Sequence, residues 1–481
     1  MSPSDPHRQK VTFLEPPSAG GAVPERFAGC SYELYHFPDL ANLFPFTQLH
    51  RAGVEVAYID AMLEGMSPTS FRAWIARDDS THYVLHSVIL SKPLDLGVLG
   101  SIRALRPEAE VIVHGPEPTR VPEEYLAVDG VKAIRGEVEG ALPGYLVEGC
   151  LDGFSWRNGT ARHEPVGRDV PFDDLPIPDR EHPAVARYLR QHRNPKFRTG
   201  PYTILLASRG CAFRCNFCVP IAISFARELE ASRLGAAKPG VKVGSPARVI
   251  EEMTYLHRLG FRSTMFMDDQ FLWAKKRTLE ICQGVAPLKM EWGCLSRADF
   301  LTDEEVVRAL ADAGCRSVDI GVESLDQGVL DAIEKDLKVA DVPVAVANLR
   351  RSGIEPKLNI MFGTTPRETE DTIRGTVEAL RGMDVDRVMF TIATPFKGTA
   401  FYDRAKADGT LLDDTDSINP MGKAVIGYPH LPPQRLEELG RWAYRRFYMR
   451  PRIAWRRLKS MRTPGDLFRD AKIAAKVLLR V

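Results

Sequence analysis

The stretch SRGCAFRCNFCV (208–219) brings together three cysteines, Cys211, Cys215 and Cys218, and no fourth follows nearby. The other five, Cys30, Cys150, Cys282, Cys294 and Cys315, are scattered and read as small buried apolar residues. Eight cysteines in 481 residues are too sparse for a disulfide scaffold; in a reducing compartment a local crowd of thiols points to metal or redox chemistry. Structural zinc takes four protein ligands, and His192 is the candidate fourth ligand near the loop. An iron-sulfur cubane held by three thiolates keeps one iron open for a substrate or cofactor. The CxxxCxxC spacing lets one loop wrap three corners of a cube, so it favours the cluster. Zinc and a chance group of buried thiols are the alternatives.

Such a loop needs elements to hold it. Strand-like YTILLAS, STMFMD, EWGCLS, SVDIGVES, PKLNIMFG and RVMFTIAT alternate with amphipathic helices such as SPARVIEEMTYLHRLG and TDEEVVRALADAG. Ser245 before Pro246, and Thr302 three residues before Glu305, are start signals; Gly260, Gly314 and Gly353 are stops. Six consecutive βα units predict a full or partial parallel barrel over 201–410, with a flat doubly wound sheet as the alternative. Barrel enzymes carry their chemistry at the carboxyl ends of the strands. Those ends hold the three cysteines, Asp268 and Asp269, Arg297 and Asp299, Glu323, and the loop from Gly363.

Residues 10–150 also alternate, through KVTFLE, GVEVAYIDA, HYVLHSVILS, AEVIVHGPEP and GVKAIRGE. They predict a doubly wound α/β domain, in which ligands bind beyond the carboxyl ends of the strands. Residues 151–200, rich in proline, aspartate and arginine, read as a connecting segment. Beyond 411 lies an extension whose last part, 441–481, has 13 Lys and Arg against 2 Asp among aromatic residues. Such a basic amphipathic tail either snorkels its arginines over the barrel or attaches to an anionic membrane surface, with nucleic acid as a third reading.

Overall composition is ordinary for a globular chain: 26% charged, 44% hydrophobic and a formal charge of +1. It carries no global nucleic-acid signature. No apolar run approaches a membrane span and MSPSDPHRQK has no signal-peptide core, so a cytoplasmic location is expected.

CAFRCNFC at the end of the first strand of a βα barrel, with Phe217 before the third cysteine, resembles the signature of the radical S-adenosylmethionine (SAM) superfamily. MFMDDQFLWAKKR, SVDIGVESLDQGVLDAIEK and FGTTPRETEDT are similar to a large subgroup of these enzymes. The resemblance implies that Cys211, Cys215 and Cys218 bind three irons of a 4Fe-4S cluster and that SAM chelates the fourth. It implies that Asp268 and Asp269 stand where the SAM amino group is held, that Arg297 and Glu323 are polar contacts, the latter toward the ribose, and that Phe217 and Gly363 approach the adenine. The plainer alternatives are a helix N-cap pair for Asp268 and Asp269, and a mutual salt bridge for Arg297 and Glu323.

The N-terminal half resembles the cobalamin-binding domain that precedes such barrels, through HGPEPTRVPEEYLAVDGVKAIRGEVEGAL and the linker DDLPIPDR. Ser87, Gly115 and Glu117 are its candidate cobalamin positions. The chain departs from that pattern in lacking Asp-x-His-x-x-Gly, with Glu117 where relatives often carry histidine. The C-terminal IGYPHL and RRFYMRPRIAWRRL resemble hopanoid-associated radical SAM proteins and, more distantly, the anaerobic magnesium-protoporphyrin cyclase.

The implied activity is reductive cleavage of SAM to a 5'-deoxyadenosyl radical that modifies a small molecule in biosynthesis, with electrons from a flavodoxin- or ferredoxin-type protein. With cobalamin the expected reaction is C-methylation or cyclisation. With the N-terminal domain as a scaffold only, it is dehydration, epimerisation or rearrangement of an amino sugar or polyol. A non-catalytic electron-transfer or sensor protein is the remaining class.

Overall fold

The computed structural model describes residues 9–18, 24–28, 31–32, 37–190, 194, 196–414 and 423–460. Cys30, His192 and the tail from 461 onward lie outside the described residues. The chain is α/β and forms two compact units. One comprises Met1–Ala212, Val219–Cys294 and Asp312–Gly314; the other comprises Phe213–Cys218, Leu295–Ala311 and Cys315–Val481.

The first unit opens with a seven-stranded sheet. Its strands are β1 (Lys10–Glu15), β2 (Glu55–Asp60), β3 (His82–His86), β4 (Glu110–His114), β5 (Val131–Ile134), β6 (Phe154–Asn158) and β7 (Thr160–His163), in the order β2-β1-β3-β4-β5-β6-β7. The pairs from β2 to β5 are parallel, with Phe13 opposite Tyr58 and Leu85 opposite both Leu14 and Val113. Five fully buried residues in β3 explain why it reads as a continuous apolar run rather than an alternation. Helices α1 (Leu40–Arg51), α2 (Pro68–Ile75), α3 (Lys92–Leu105), α4 (Pro116–Arg120) and α5 (Val138–Glu148) connect these strands. Leu14, Phe71, Ile75, Leu85, Leu99 and Val113 share one core cluster. Because β1 sits between β2 and β3, the strand order reverses there, and it is beyond the carboxyl ends at such a reversal that doubly wound sheets bind ligands.

Within the connecting segment expected over 151–200, β6 and β7 form an antiparallel ribbon that extends the sheet. Its tight turn at Gly159 (φ +76°) and the fully exposed face of β7 leave no apolar alternation to betray a strand.

The same unit continues with β8 (Tyr202–Leu205), β9 (Ser263–Phe266) and the first four residues of β10 (Glu291–Ser296), paired in parallel. Between them run α6 (Ala222–Arg233), α7 (Pro246–Arg258) and α8 (Lys275–Val285). Ser245 caps α7 by accepting from the Arg248 N–H at 3.3 Å, as its position before Pro246 predicts. Phe266, Phe271 and Trp292, all buried, interlock with ring centroids 4.5–5.7 Å apart.

The second unit holds β11 (Cys315–Glu323), β12 (Glu355–Phe362) and β13 (Arg387–Ile392), again parallel, with α9 (Glu304–Asp312), α10 (Asp341–Arg351) and α11 (Glu370–Gly382). The cap of α9 is Asp303, whose carboxylate accepts from Glu305 N at 2.9 Å, rather than Thr302, whose hydroxyl turns back to the Asp299 carbonyl. The C-terminal extension forms α12 (Pro433–Tyr448) and α13 (Pro451–Ser460). Their arginines are partnered: Arg446 with Glu378 and Arg456 with Asp384 and Asp386, while Leu436, Leu439 and Phe447 are buried. The described part of the tail is therefore a packed helical extension. No helix among the described residues is long and apolar enough to cross a membrane.

Candidate active site

In the first unit the cysteine loop begins just after β8, and its two ends are tied by one side chain. The Asp269 carboxylate accepts from Gly210 N at 3.0 Å through Oδ2 and from Ile221 N at 2.7 Å through Oδ1. Gly210 sits at φ +86°, a left-handed conformation that glycine adopts at little cost. Asp268, fully buried, accepts from Ser208 Oγ at 2.6 Å and from Ala207 N at 3.1 Å. Burial pushes its pKa up to about 7 against those hydrogen bonds. Neither aspartate caps a helix, since α8 begins after Ala274 with no side-chain cap; the N-cap alternative is corrected. The acidic turn instead fixes the base of the cysteine loop.

In the second unit the loop's middle, Phe213–Cys218, rests on a turn at 332–336. Asn216 N donates to Ile333 O at 3.2 Å, and its side-chain amide donates to Ala332 O at 3.1 Å. That turn delivers Lys335, which the sequence reading missed. Its ammonium is buried, 2.9 Å from Glu323 Oε1 and 5.9 Å from the Phe217 ring centroid. Burial opposes its charge, but Glu323, together with the sulfurs of Cys215 and Cys218, outweighs burial and raises its pKa. Glu323, Glu334 and Asp336 all adopt positive φ, at +68°, +58° and +50°. Non-glycine residues in that region carry strain and cluster at functional sites. Gly321 makes room for the pair, because a Cβ there would lie 2.9 Å from Glu323 Oε1 and 3.0 Å from Lys335 Nζ.

The Arg297–Glu323 salt bridge does not form. Arg297 pairs with Asp299 at 3.1 Å, donates to the carbonyls of Lys335 and Asp336, and stacks 3.6 Å from the Phe213 ring centroid. Glu323 goes to Lys335 because the 332–336 turn brings the lysine to it. Gly363, at φ +81°, ends β12 and donates its N–H to the buried Glu368 carboxyl, which also takes Thr364 N at 3.3 Å. Burial pushes the Glu368 pKa up to about 8.

The candidate cobalamin positions lie beyond β3 and β4 and are engaged internally. Ser87 Oγ donates to Asp95 at 2.6 Å and contacts Tyr125 Oη at 2.7 Å, while Arg26 holds Asp95 from the other side at 2.7 Å. Gly115 (φ +112°) passes so close to β3 that a Cβ would meet Ser87 O at 2.6 Å. Glu117, fully buried, accepts two bonds from Arg120 at 2.9 and 2.6 Å, with Lys92 at 3.9 Å. Glu117 is thus engaged by Arg120 of its own helix.

Cys218 is exposed, and Cys211 and Cys215 are partly so. Among the described residues no three His, Cys, Asp or Glu side chains are already closed around a point. Three soft thiols with a buried ammonium near two of them fit an anionic thiolate-held cluster. Cys282, Cys294 and Cys315 are buried, as expected of structural cysteines, whereas Cys150 is partly exposed.

Residues 205–380 match the Radical SAM superfamily. An uncharacterised methyltransferase of Pyrococcus horikoshii is 29% identical over 362 residues, 71% of this chain and 73% of that protein. The anaerobic magnesium-protoporphyrin IX monomethyl ester cyclase of Cereibacter sphaeroides is 26% identical over 50% of this chain and 38% of its own. Two solved structures share the fold. The radical SAM methyltransferase TsrM from Kitasatospora setae, with cobalamin and a 4Fe-4S cluster bound, aligns with TM-score 0.62 and 18% identity over 85% of this chain and 76% of its own. The cobalamin-dependent radical SAM enzyme OxsB aligns with TM-score 0.71 and 14% identity over 98% of this chain and 71% of its own.

Proposed function

We propose that this chain, a radical SAM enzyme by the domain it carries over residues 205–380, transfers a methyl group from SAM to a carbon of a small molecule, with cobalamin as the carrier. The observation that carries the reading is the open sheet whose order reverses at β1, placed directly before the cysteine-loop domain. That is the architecture shared with two cobalamin-bearing enzymes over most of the chain. When bound, the cluster supplies an electron to the SAM sulfonium and cobalamin supplies methyl carriage.

The protein's own part follows from its residues. Cys211, Cys215 and Cys218 hold the cluster; Asp268 and Asp269 fix the backbone of their loop. Phe217, Arg297, Glu323 and Gly363 face SAM. Residues 10–150 are the carrier domain, 151–200 the connection, 201–410 the catalytic domain and 411–481 the extension. Ser87, Gly115 and Glu117 would line the cobalamin site, with Arg120 holding Glu117 in place. In this reading the enzyme works in the cytoplasm with a flavodoxin- or ferredoxin-type reductant. Its tail, with Met449 and Trp455 exposed, touches an anionic membrane surface, which retention on anionic but not neutral vesicles reports.

The closed polar network around Ser87 and Glu117 favours a second reading. There the first sheet is a scaffold and the radical drives dehydration, epimerisation or rearrangement. Anaerobic turnover of cobalt-loaded protein with methyl-labelled SAM separates them. Methylation predicts S-adenosylhomocysteine and label in the product; deoxyadenosine with unlabelled product selects the scaffold reading.

A further inference from the structure

Arg209 stands two residues before Cys211, at the start of the cluster loop, yet its side chain lies among residues that precede position 175. It is 1% exposed. Its Nη2 is 2.6 Å from Glu139 Oε1 and its Nη1 is 3.6 Å from Glu137 Oε1. The guanidinium stacks 4.6 Å from the Phe44 ring centroid and 5.8 Å from that of Phe172. Phe44 lies on α1, and the two glutamates lie at the start of α5, just after β5. A buried arginine in ion-pair contact with Glu139, close to Glu137 and against two aromatic faces is constrained, because removing one charge of such a buried pair leaves its partner uncompensated in a low-dielectric surrounding.

The backbone carries that constraint directly into the loop. Arg209 leads to Gly210, whose N–H is held by Asp269 at 3.0 Å and by Ser224 Oγ at 2.8 Å, and then to Cys211. The turn that presents the glutamates is in turn tied to α4, since Gly136 N donates to Thr119 Oγ1 at 3.0 Å. We infer that Arg209 is a positioning residue. Through Glu139 and Glu137, the N-terminal sheet domain holds the origin of the cysteine loop and so helps to retain the cluster. The first domain is then part of the cluster's holder as well as a candidate carrier. The inference requires a cluster on the three cysteines and is independent of cobalamin and of the substrate.

The test compares Arg209→Lys, Glu139→Gln and the milder Glu137→Gln with Glu252→Gln. The last breaks an equally buried ion pair of the same unit, Arg180–Glu252 at 3.2 Å, which does not touch the cysteine loop. Each is reconstituted anaerobically, its melting temperature recorded, and iron release to a chelator timed. A readout at the cluster itself is added: the electron paramagnetic resonance signal of the reduced cluster with and without SAM. Outer partners of metal ligands are typically worth about tenfold or more in metal retention. Accordingly, Arg209→Lys and Glu139→Gln are expected to release iron about tenfold faster than Glu252→Gln at a matched melting temperature and to weaken the SAM-induced spectral change. Glu137→Gln should move the same way by less. Should Arg209→Lys fail to fold, the two glutamate variants carry the comparison. Iron release that follows melting temperature alone across all folded variants, with unchanged spectra, overturns the inference.

Discussion

Replacing Lys335 by methionine is expected to reduce SAM cleavage by on the order of a hundredfold or more, the scale of losing a preorganised charge at a reacting centre. Lys335 is buried, pairs with Glu323 at 2.9 Å and interacts electrostatically with Cys215 and Cys218. Removing it leaves the Glu323 carboxylate unpaired in the interior, which costs about 3–5 kcal/mol. The loss would lower the melting temperature as well as the activity. The double substitution Lys335→Met with Glu323→Gln separates the two effects. It removes both charges, so the melting temperature should recover while cleavage of SAM by dithionite-reduced protein stays low. Cleavage that recovers together with stability would mean that Lys335 is only one half of a structural pair.

Glu368 predicts a stability that falls as pH rises. An unfolded glutamate titrates near 4.5, whereas burial pushes Glu368 up to about 8. Below pH 4.5 both states hold the proton and the stability linked to this group is fully present. It is lost as pH rises through the folded value, because only the folded state still retains the proton. Between pH 6 and 9 this group should remove roughly 3 kcal/mol. Glu368→Gln keeps a neutral side chain that can accept from Gly363 and Thr364 N–H. Its denaturant midpoint should therefore stay flat where the wild type declines, and it should be the more stable protein at pH 9. Parallel profiles for the two proteins would contradict the assignment of a buried, protonated Glu368.

What could be read in advance depended on how local the signal was. The thiols of Cys211, Cys215 and Cys218 lie within one loop, so their spacing carries the chemistry without knowledge of the fold. All six strands from β8 to β13 were legible because each is an apolar run bounded by a helix with its own signals, as Ser245 before α7 shows. Partner choice was not legible. Arg297 and Glu323 end neighbouring predicted units and invited pairing, but the positive-φ turn around Glu334 and Asp336 hands Glu323 to Lys335 and Arg297 to carbonyls. Lys335 closes the stretch SVDIGVESLDQGVLDAIEK, but nothing in that stretch marks it as the partner of Glu323, which shows only when the chain folds back. Likewise, the place of Asp269 after a strand puts it at the rim and the resemblance gives it a ligand, while its bonds to Gly210 and Ile221 depend on how the loop returns to its base. Glu117 was visible as a departure from pattern, but Arg120, three residues on, was not visible as its partner.

The central claim is that the loop carrying Cys211, Cys215 and Cys218 holds a cluster that cleaves SAM. It is tested most directly by incubating anaerobically reconstituted protein with SAM and a low-potential reductant, and measuring SAM-derived products against cluster content. The account predicts deoxyadenosine or S-adenosylhomocysteine in proportion to bound cluster, lost in Cys218→Ala. A full cluster with no SAM consumed, or undiminished consumption by Cys218→Ala, would contradict it.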